Sequence, residues 1–289
     1  MSPQIFAHRG ASGMYAEHTR AAFLQALADG ADGVECDVHL TRDEQLVCIH
    51  DPTLERTSNG SGDVADHTLA QLRELDFSSW KGVRIPAEYG GPRNQLLTLA
   101  DLLQLLRSAG RSIALAIELK HPSPFGLRLE AELVAFLLDE GWDPESSTLG
   151  NLTISFMSFN PDSMHQLGEI APAHALCQLV ADVEPDEVRE ALSFGSITSG
   201  AVINLMRRAI DEGEALIDAH TVGMAGPGVA YVRAHQDTVR RWVSEDVRVR
   251  VWTVNTQEEA ELVAGLGVQE ITTDYPAEMR SFFAISSGG

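Results

Sequence analysis

The sequence predicts a parallel (β/α)8 barrel, the TIM-barrel class, with a small insertion after its second strand. Three observations carry the prediction. Short apolar runs alternate with longer amphipathic stretches along the whole chain, the pattern of a parallel sheet covered by helices. Eight of these runs qualify as strands, the number that closes such a barrel. The length, 289 residues, suits one α/β barrel as a single unit, and one domain is expected over residues 1–285.

The strands are expected at Ile5–His8, Gly33–Val38, Ile113–Leu119, Thr153–Ser158, Ala175–Val180, Val222–Ala225, Val249–Val254 and Glu270–Thr273. Helical patterns lie between them at Thr19–Asp29, Leu99–Ser108, Leu127–Glu140, Ser163–Ile170 and Glu258–Ala264. A further apolar run, Leu46–His50, follows the second strand too closely for a parallel crossover, which needs about a dozen residues and usually a helix. With Thr41–Gln45 as a tight turn, it reads as a hairpin-like excursion. Residues 51–97 are rich in Gly, Ser, Asp and Pro and carry only a weak helix near Leu69–Leu75. Excursions of this length are usually functional. Placed after strand two, this one belongs over the C-terminal mouth of the barrel. The stretch Asp182–Asp218 is helical but poorly determined by pattern, and Ser286–Gly289 reads as a frayed tail.

Composition narrows the function. Asp and Glu number 42 against 21 Lys and Arg, a formal net charge of −21. Nonspecific nucleic-acid binding and a polybasic membrane anchor both need the opposite balance. Apolar residues at 44% and charged residues at 22% exclude a disordered chain. No apolar run approaches the roughly 18 residues of a membrane span, and Met1–Gly10 has neither the basic nor the apolar region of a secretory signal. A cytoplasmic protein without stable membrane association is expected. Cys36, Cys48 and Cys177 form no CxxC pair and are expected as small buried residues.

In such a barrel the chemistry sits at the C-terminal ends of the strands. Those ends read His8-Arg9-Gly10, Glu35-Cys36-Asp37 and Glu118-Leu119-Lys120, with His50-Asp51 on the excursion. Side chains at i and i+2 share a face of a strand, so Glu35 projects with Asp37, and Glu118 with Lys120. Carboxylates gathered in one mouth repel one another unless something positive joins them. A hard divalent cation, Mg²⁺ or Ca²⁺, held by Glu35, Asp37 and Glu118 is one solution. A structural ion network with Arg9 and Lys120 is the other. His8 and His50 flank the cluster and supply side chains that exchange protons near neutrality. Arg9 offers a planar fork for phosphate oxygens, and Lys120 a second cation. A divalent ion, two cations and two histidines at one mouth suit a phosphodiester substrate.

These residues stand in blocks that resemble the glycerophosphodiester phosphodiesterase family. The blocks are His8-Arg9-Gly10-Ala11-Ser12-Gly13, Val34–Asp43, His50-Asp51-Pro52-Thr53-Leu54-Glu55-Arg56-Thr57, Ile117–Lys120, Val251–Asn255 and Thr272–Pro276, in register from about residue 5 to residue 276. The resemblance implies hydrolysis of a glycerophosphodiester to glycerol 3-phosphate and an alcohol. It implies Mg²⁺ or Ca²⁺ on Glu35, Asp37 and Glu118, an acid–base pair of His8 and His50, and phosphate contacts from Arg9 and Lys120. It also implies an inserted segment that covers the glycerol end, with Trp252 near the glycerol. Trp252 reads alternatively as an aromatic plug of the barrel. One departure stands out: the family usually has Pro-Glu-Asn-Thr where this chain has Ala16-Glu17-His18-Thr19. Glu17 and His18 are therefore expected around the site, His18 as a tolerated change or as an extra metal or phosphate ligand. His39 shares a face with Glu35 and Asp37 but lies past them, and is expected in a loop. A phospholipase D-like lyase and a catalytically silent phosphodiester-binding barrel are the rival readings.

Overall fold

The computed structural model describes residues 2–182 and 196–286. Its strands are β1 (Gln4–His8), β2 (Gly33–Leu40), β3 (Leu46–Cys48), β4 (Ile113–Leu119), β5 (Thr148–Leu149), β6 (Leu152–Ser158), β7 (Leu176–Val180), β8 (Met224–Pro227), β9 (Arg248–Val251) and β10 (Glu270–Thr273). All but β3 and β5 form a closed parallel ring, in which β1 pairs with both β2 and β10. β3 runs antiparallel to the end of β2, and β5 antiparallel to the start of β6. Outside the ring lie α1 (Arg20–Ala28), α2 (Leu69–Leu72), α3 (Leu99–Arg107), α4 (Arg128–Asp139), α5 (Pro161–Gly168), α6 (Ser196–Asp218), α7 (Val229–Ala234), α8 (Gln236–Ser244), α9 (Gln257–Gly265) and α10 (Pro276–Ser286).

The eight-stranded barrel is the one the sequence predicts, and the run beginning at Leu46 is a hairpin arm as expected. The turn between β2 and β3 is closed by Thr41, whose amide donates to the Gln45 carbonyl at 3.0 Å and whose hydroxyl accepts from the Gln45 amide at 2.9 Å. Two strands are displaced. The sixth expected strand, at Val222, begins only at Met224, and β9 stops at Val251, three residues short of the expected end, because Trp252 makes only an isolated bridge to Gly228. The helices α7, α8 and α10 are absent from the sequence reading. In α8 just Val239 and Trp242 are buried, too sparse an apolar stripe to announce a helix. Of the stretch expected to be helical over Asp182–Asp218, α6 covers the part from Ser196; residues 183–195 lie outside the described residues, as does the tail beyond Ser286.

Alternation along each strand sorts the core. Outward side chains of the ring, such as Val34, Cys36 and Val38 of β2 and Leu115 and Ile117 of β4, join the large apolar layer under the helices. Inward ones, including Phe6, Ala116, Met157, Cys177 and Leu179, fill the barrel. Below the mouth Arg250 is buried against Glu270, with Nε donating to Oε2 at 2.7 Å, and its guanidinium lies 4.0 Å from the centre of the Phe6 ring. Helix starts are fixed by Thr19, Thr98 and Thr256, whose hydroxyls accept from backbone amides in the first turn. Residues 51–97 carry a small apolar cluster of their own, in which Leu54, Val64, Leu72 and Phe77 pack with Val47 and Ile49 of the hairpin arm. That cluster holds the segment beside the mouth.

Gly33 begins β2 where the Phe6 ring crosses the barrel. A Cβ there would lie 2.5 Å from a ring carbon of Phe6 and 2.9 Å from the Ala114 carbonyl oxygen. Gly33→Ala is therefore expected to lower stability by about 1–3 kcal/mol, the usual penalty for overpacking a filled core. Urea unfolding of the two proteins measures it, and an unchanged midpoint would contradict this packing.

Candidate active site

The mouth is assembled by strand register. His8 at the end of β1 lies opposite Glu35, and Asp37 lies opposite Glu118. Beyond His8 the chain turns sharply through left-handed backbone at Arg9 (φ 56°) and Gly10 (φ 82°). No side chain fits at Gly10, because a Cβ would stand 2.6 Å from the carbonyl carbon of Ala22 in α1. This turn aims the Arg9 amide at Glu35, where it donates to Oε2 at 3.0 Å.

Glu35, Asp37 and Glu118 each offer an oxygen within 4.8 Å of the other two. Glu35 and Asp37 are buried. Lys120 Nζ donates to Glu118 Oε1 at 2.7 Å and lies 3.2 Å from Asp37 Oδ1. Arg9 Nε lies 3.2 Å from Asp37 Oδ2, while its Nη1 donates to Glu17 Oε1 at 3.0 Å. Both parts of the sequence reading are thus present: the carboxylates converge, and the two cations lie against them. The cations do not complete the cluster. Glu35 Oε1 and both Asp37 oxygens are buried and accept no hydrogen bond. Burial and the neighbouring Asp37 charge push the Glu35 carboxyl well above the usual carboxylate range, and burial raises Glu118 to about 7. Asp37 is held well below that range; its burial is outweighed by Lys120, His18 and Arg9. Buried hard oxygens without hydrogen bonds, in a cluster with more carboxylates than cations, fit a hard divalent cation.

Each candidate histidine is held through Nδ1 by an aspartate. His8 Nδ1 bonds Asp274 Oδ1 at 2.7 Å, and Asp274 is itself fixed by the Ser12 hydroxyl at 2.8 Å and Asn255 Nδ2 at 2.7 Å. His50 Nδ1 bonds Asp51 Oδ1 at 2.6 Å. Arg56 then grips Asp51, with Nε donating to Oδ2 at 2.6 Å, and Glu17, with Nη1 donating to Oε2 at 2.7 Å. Because Glu17 also takes Arg9, an unbroken chain of charges joins His50 to the carboxylate cluster. Burial lowers His50 below its ordinary value. An Nδ1–H held by a carboxylate fixes the tautomer in which Nε2 carries the lone pair of each ring.

His18 sits in left-handed backbone (φ 58°), where the short side chain of asparagine is the easier occupant. It is buried, and its Nε2 accepts from the Asp37 amide at 2.9 Å. Burial lowers it to about 3, so the ring is neutral and its Nε2 lone pair is taken by the backbone. That occupancy argues against the extra-ligand reading. His39 corrects an expectation: it stands within β2, not in a loop, and its Nε2 meets the His50 carbonyl at 3.1 Å. Register continues because β3 pairs with the last residues of β2. Trp252 follows β9, donates from Nε1 to the Gly226 carbonyl at 2.8 Å, and meets Phe159 edge to face with ring centres 5.7 Å apart. The sequence reading assigns no site role to Asp51, Arg56, Asn255 or Asp274. Asp51 and Arg56 lie one and six residues after His50 in the same block and are readable there, whereas the pairing of Asp274 with His8 exists only once β10 closes the ring onto β1.

Glu17, Asp51 and Asp274 are each held at about 2: burial opposes ionisation, but bonds from Arg56, Arg56 with His50, and His8 with Ser12 respectively outweigh it. Carboxylates lowered in the folded state stabilise it above their unfolded values near 4, and that stability disappears as pH falls toward 2. The urea midpoint should therefore decline between about pH 4 and pH 2, and Asp274→Asn should make the decline shallower. A parallel decline in both proteins would contradict this view of Asp274.

Comparison with known proteins identifies one family. The family model described as "Glycerophosphoryl diester phosphodiesterase family" matches residues 8–278. A Mycobacterium tuberculosis protein named "Probable glycerophosphodiester phosphodiesterase 1" is 33% identical over 97% of this chain and 92% of its own. The Bacillus subtilis protein named glycerophosphodiester phosphodiesterase is 30% identical over 93% of this chain and 83% of its own. Among solved structures, an Oleispira antarctica phosphodiesterase in complex with the product sn-glycerol-3-phosphate superimposes with a TM-score of 0.71 at 24% identity, covering 98% of this chain and 97% of that one. The chain belongs to the glycerophosphoryl diester phosphodiesterase family.

Proposed function

We propose that the protein hydrolyses glycerophosphodiesters to glycerol 3-phosphate and an alcohol, with one divalent cation and two histidines. The observation that carries this reading is the single mouth in which the orphaned oxygens of Glu35 and Asp37 stand beside two aspartate-held histidines. Glu35, Asp37 and Glu118 would hold Mg²⁺ or Ca²⁺. When bound, the ion supplies positive charge to the non-bridging phosphate oxygens and relieves the repulsion among its ligands.

The chain's own residues divide the rest. Arg9 and Lys120, which lie against the carboxylates, would share phosphate oxygens with the ion. One histidine takes at Nε2 the proton of the attacking oxygen as that oxygen bonds to phosphorus, the oxygen being that of water or of the diester's free glycerol hydroxyl, in which case water then opens the cyclic phosphate. The other gives a proton from Nε2 to the alcohol oxygen as its bond to phosphorus breaks. Asp274 and Asp51 fix the tautomers that allow this. Glu17 and His18 are positioning residues: one links Arg9 to Arg56, the other supports the backbone of Asp37. Trp252 and Phe159 form an aromatic edge suited to the carbons of glycerol. Residues 1–285 act as one barrel domain, and 51–97 as the segment that borders its mouth.

Two observations weigh against the rivals. The silent-barrel reading expects a gap in the constellation, yet both histidines and all three carboxylates are assembled. The lyase reading goes with disulfides, and Cys36, Cys48 and Cys177 are free and buried. No helix among the described residues is long and apolar enough to cross a membrane.

His50→Ala should lower kcat on glycerophosphodiesters by roughly 10²–10⁴-fold with the circular dichroism unchanged, the contribution expected of acid–base catalysis. Asp274→Asn should also lower kcat, through His8. A near-normal rate for His50→Ala would remove it from the mechanism.

A further inference from the structure

Outside the ring of strands, a cleft of about 680 Å³ lies between α1, α3 and the last part of the inserted segment. Its lining shares no residue with the carboxylate cluster or the two histidines. Arg20 and Leu24 come from α1, Asp101 and Leu105 from α3, and Arg73 and Arg93 from the segment. Leu97 and Leu105 are buried and give the cleft an apolar floor. A cavity of this size accepts a small organic molecule.

Gln95 makes this cleft a fixed feature of the fold. It is fully buried; its carbonyl accepts from the Arg20 amide at 3.0 Å, and its Oε1 from the Ala21 amide at 2.9 Å. Its Nε2 donates to the carbonyls of Tyr89 and Gly91, each at 3.1 Å. One side chain therefore ties the loop on the segment's side to the first turn of α1. The stem of Arg20 passes beside that loop, with Cδ 3.9 Å from where a Cβ on Gly90 would stand.

Three arginines line this one cleft in a chain whose formal charge is −21. Arg20 is half-buried, and among the described residues no carboxylate or carbonyl takes up its guanidinium. Arg73 and Arg93 hold only long, exposed ion pairs, with Asp101 at 3.5 Å and Glu74 at 3.3 Å. Such pairs contribute little. Two carboxylates also border the cleft. Asp101 is occupied at the start of α3, where its Oδ2 accepts from the Thr98 amide and hydroxyl, and Glu88 is exposed. Three guanidiniums against two carboxylates leave the lining positive. A partly desolvated guanidinium without an acceptor is short of hydrogen bonds, and its planar N–H fork matches the oxygens of a phosphate.

We propose that this cleft is a second binding site, separate from the mouth, and that it takes a phosphate monoester carrying an apolar body. The phosphate engages the forks of Arg20, Arg93 and Arg73, and the body covers Leu24, Leu97 and Leu105. A monoester brings two negative charges and three terminal oxygens, enough for more than one guanidinium at once. The inference is independent of the phosphodiesterase reading, because none of the residues it uses belongs to the reacting centre.

The test is calorimetric titration of phenyl phosphate into the metal-supplied protein at low ionic strength, with inorganic phosphate and glycerol 3-phosphate as parallel ligands. Because the mouth also offers phosphate contacts, each titration is repeated on Lys120→Ala. The expected result is a phenyl phosphate site that persists in Lys120→Ala and weakens about tenfold in Arg20→Gln and in Arg93→Gln, the scale of one charged hydrogen bond. At that site phenyl phosphate should bind about fivefold more tightly than either of the other ligands, through partial burial of its ring. Circular dichroism should be unchanged in both arginine variants, so that lost binding is not lost fold. Absence of binding, binding that vanishes in Lys120→Ala, binding indifferent to both arginine variants, or equal affinity for phenyl phosphate and inorganic phosphate overturns the inference. Each of these results leaves the phosphodiesterase reading intact.

Discussion

Three carboxylates on neighbouring strands, two of them buried, constrain everything around them. Glu35 and Asp37 are placed by the two-residue period of β2, and Glu118 by its register opposite Asp37. Leaving such charge unpaired in a protein interior is strongly unfavourable. The fold answers in part by bringing Arg9 and Lys120 onto the cluster, and even then Glu35 Oε1 and the Asp37 oxygens lack hydrogen bonds. The local excess of negative charge is what a divalent cation would correct. The left-handed turn at Arg9 and Gly10 follows from the same need, because it turns a backbone amide toward Glu35.

The histidines are tied into this arrangement at different distances. His8 is held by Asp274 from the closing strand, so its position depends on the barrel being shut. His50 is held by a relay of Asp51, Arg56, Glu17 and Arg9 that ends on Asp37. Arg56 belongs to the inserted segment, which links that segment's fold to the geometry of the carboxylates. The small apolar cluster around Leu54, Val64 and Leu72 therefore supports the segment that carries Arg56.

Much of this was legible in the residues. Period-two alternation located β2 and β4 well enough to put Glu35 and Asp37 on one face, and the short spacing before Leu46 showed that β3 could not be a barrel strand. Where the reading stopped, the cause was physical. The burial of α8 rests on Val239 and Trp242 alone, so no stripe marked it. His39 looked like a loop residue because nothing local shows that β3 prolongs β2 through pairing. Asp274 meets His8 across 266 positions of sequence, a contact that only ring closure creates. His18 was visible as a departure, but its engagement by the Asp37 amide required the left-handed turn that places it. The formal charge of −21 did not show the local arrangement of the mouth, where Arg9 and Lys120 lie against the carboxylates.

The central claim is that Glu35, Asp37 and Glu118 form a binding site for one divalent ion. Calorimetric titration of Mg²⁺ and of Ca²⁺ into rigorously chelated protein tests it most directly, with Glu35→Gln as the companion variant. The account predicts one competing site per chain for the two ions, lost in the variant, and diesterase activity that disappears on chelation and returns with the ion. Full activity in the chelated protein, with no heat of binding from either ion, would contradict it.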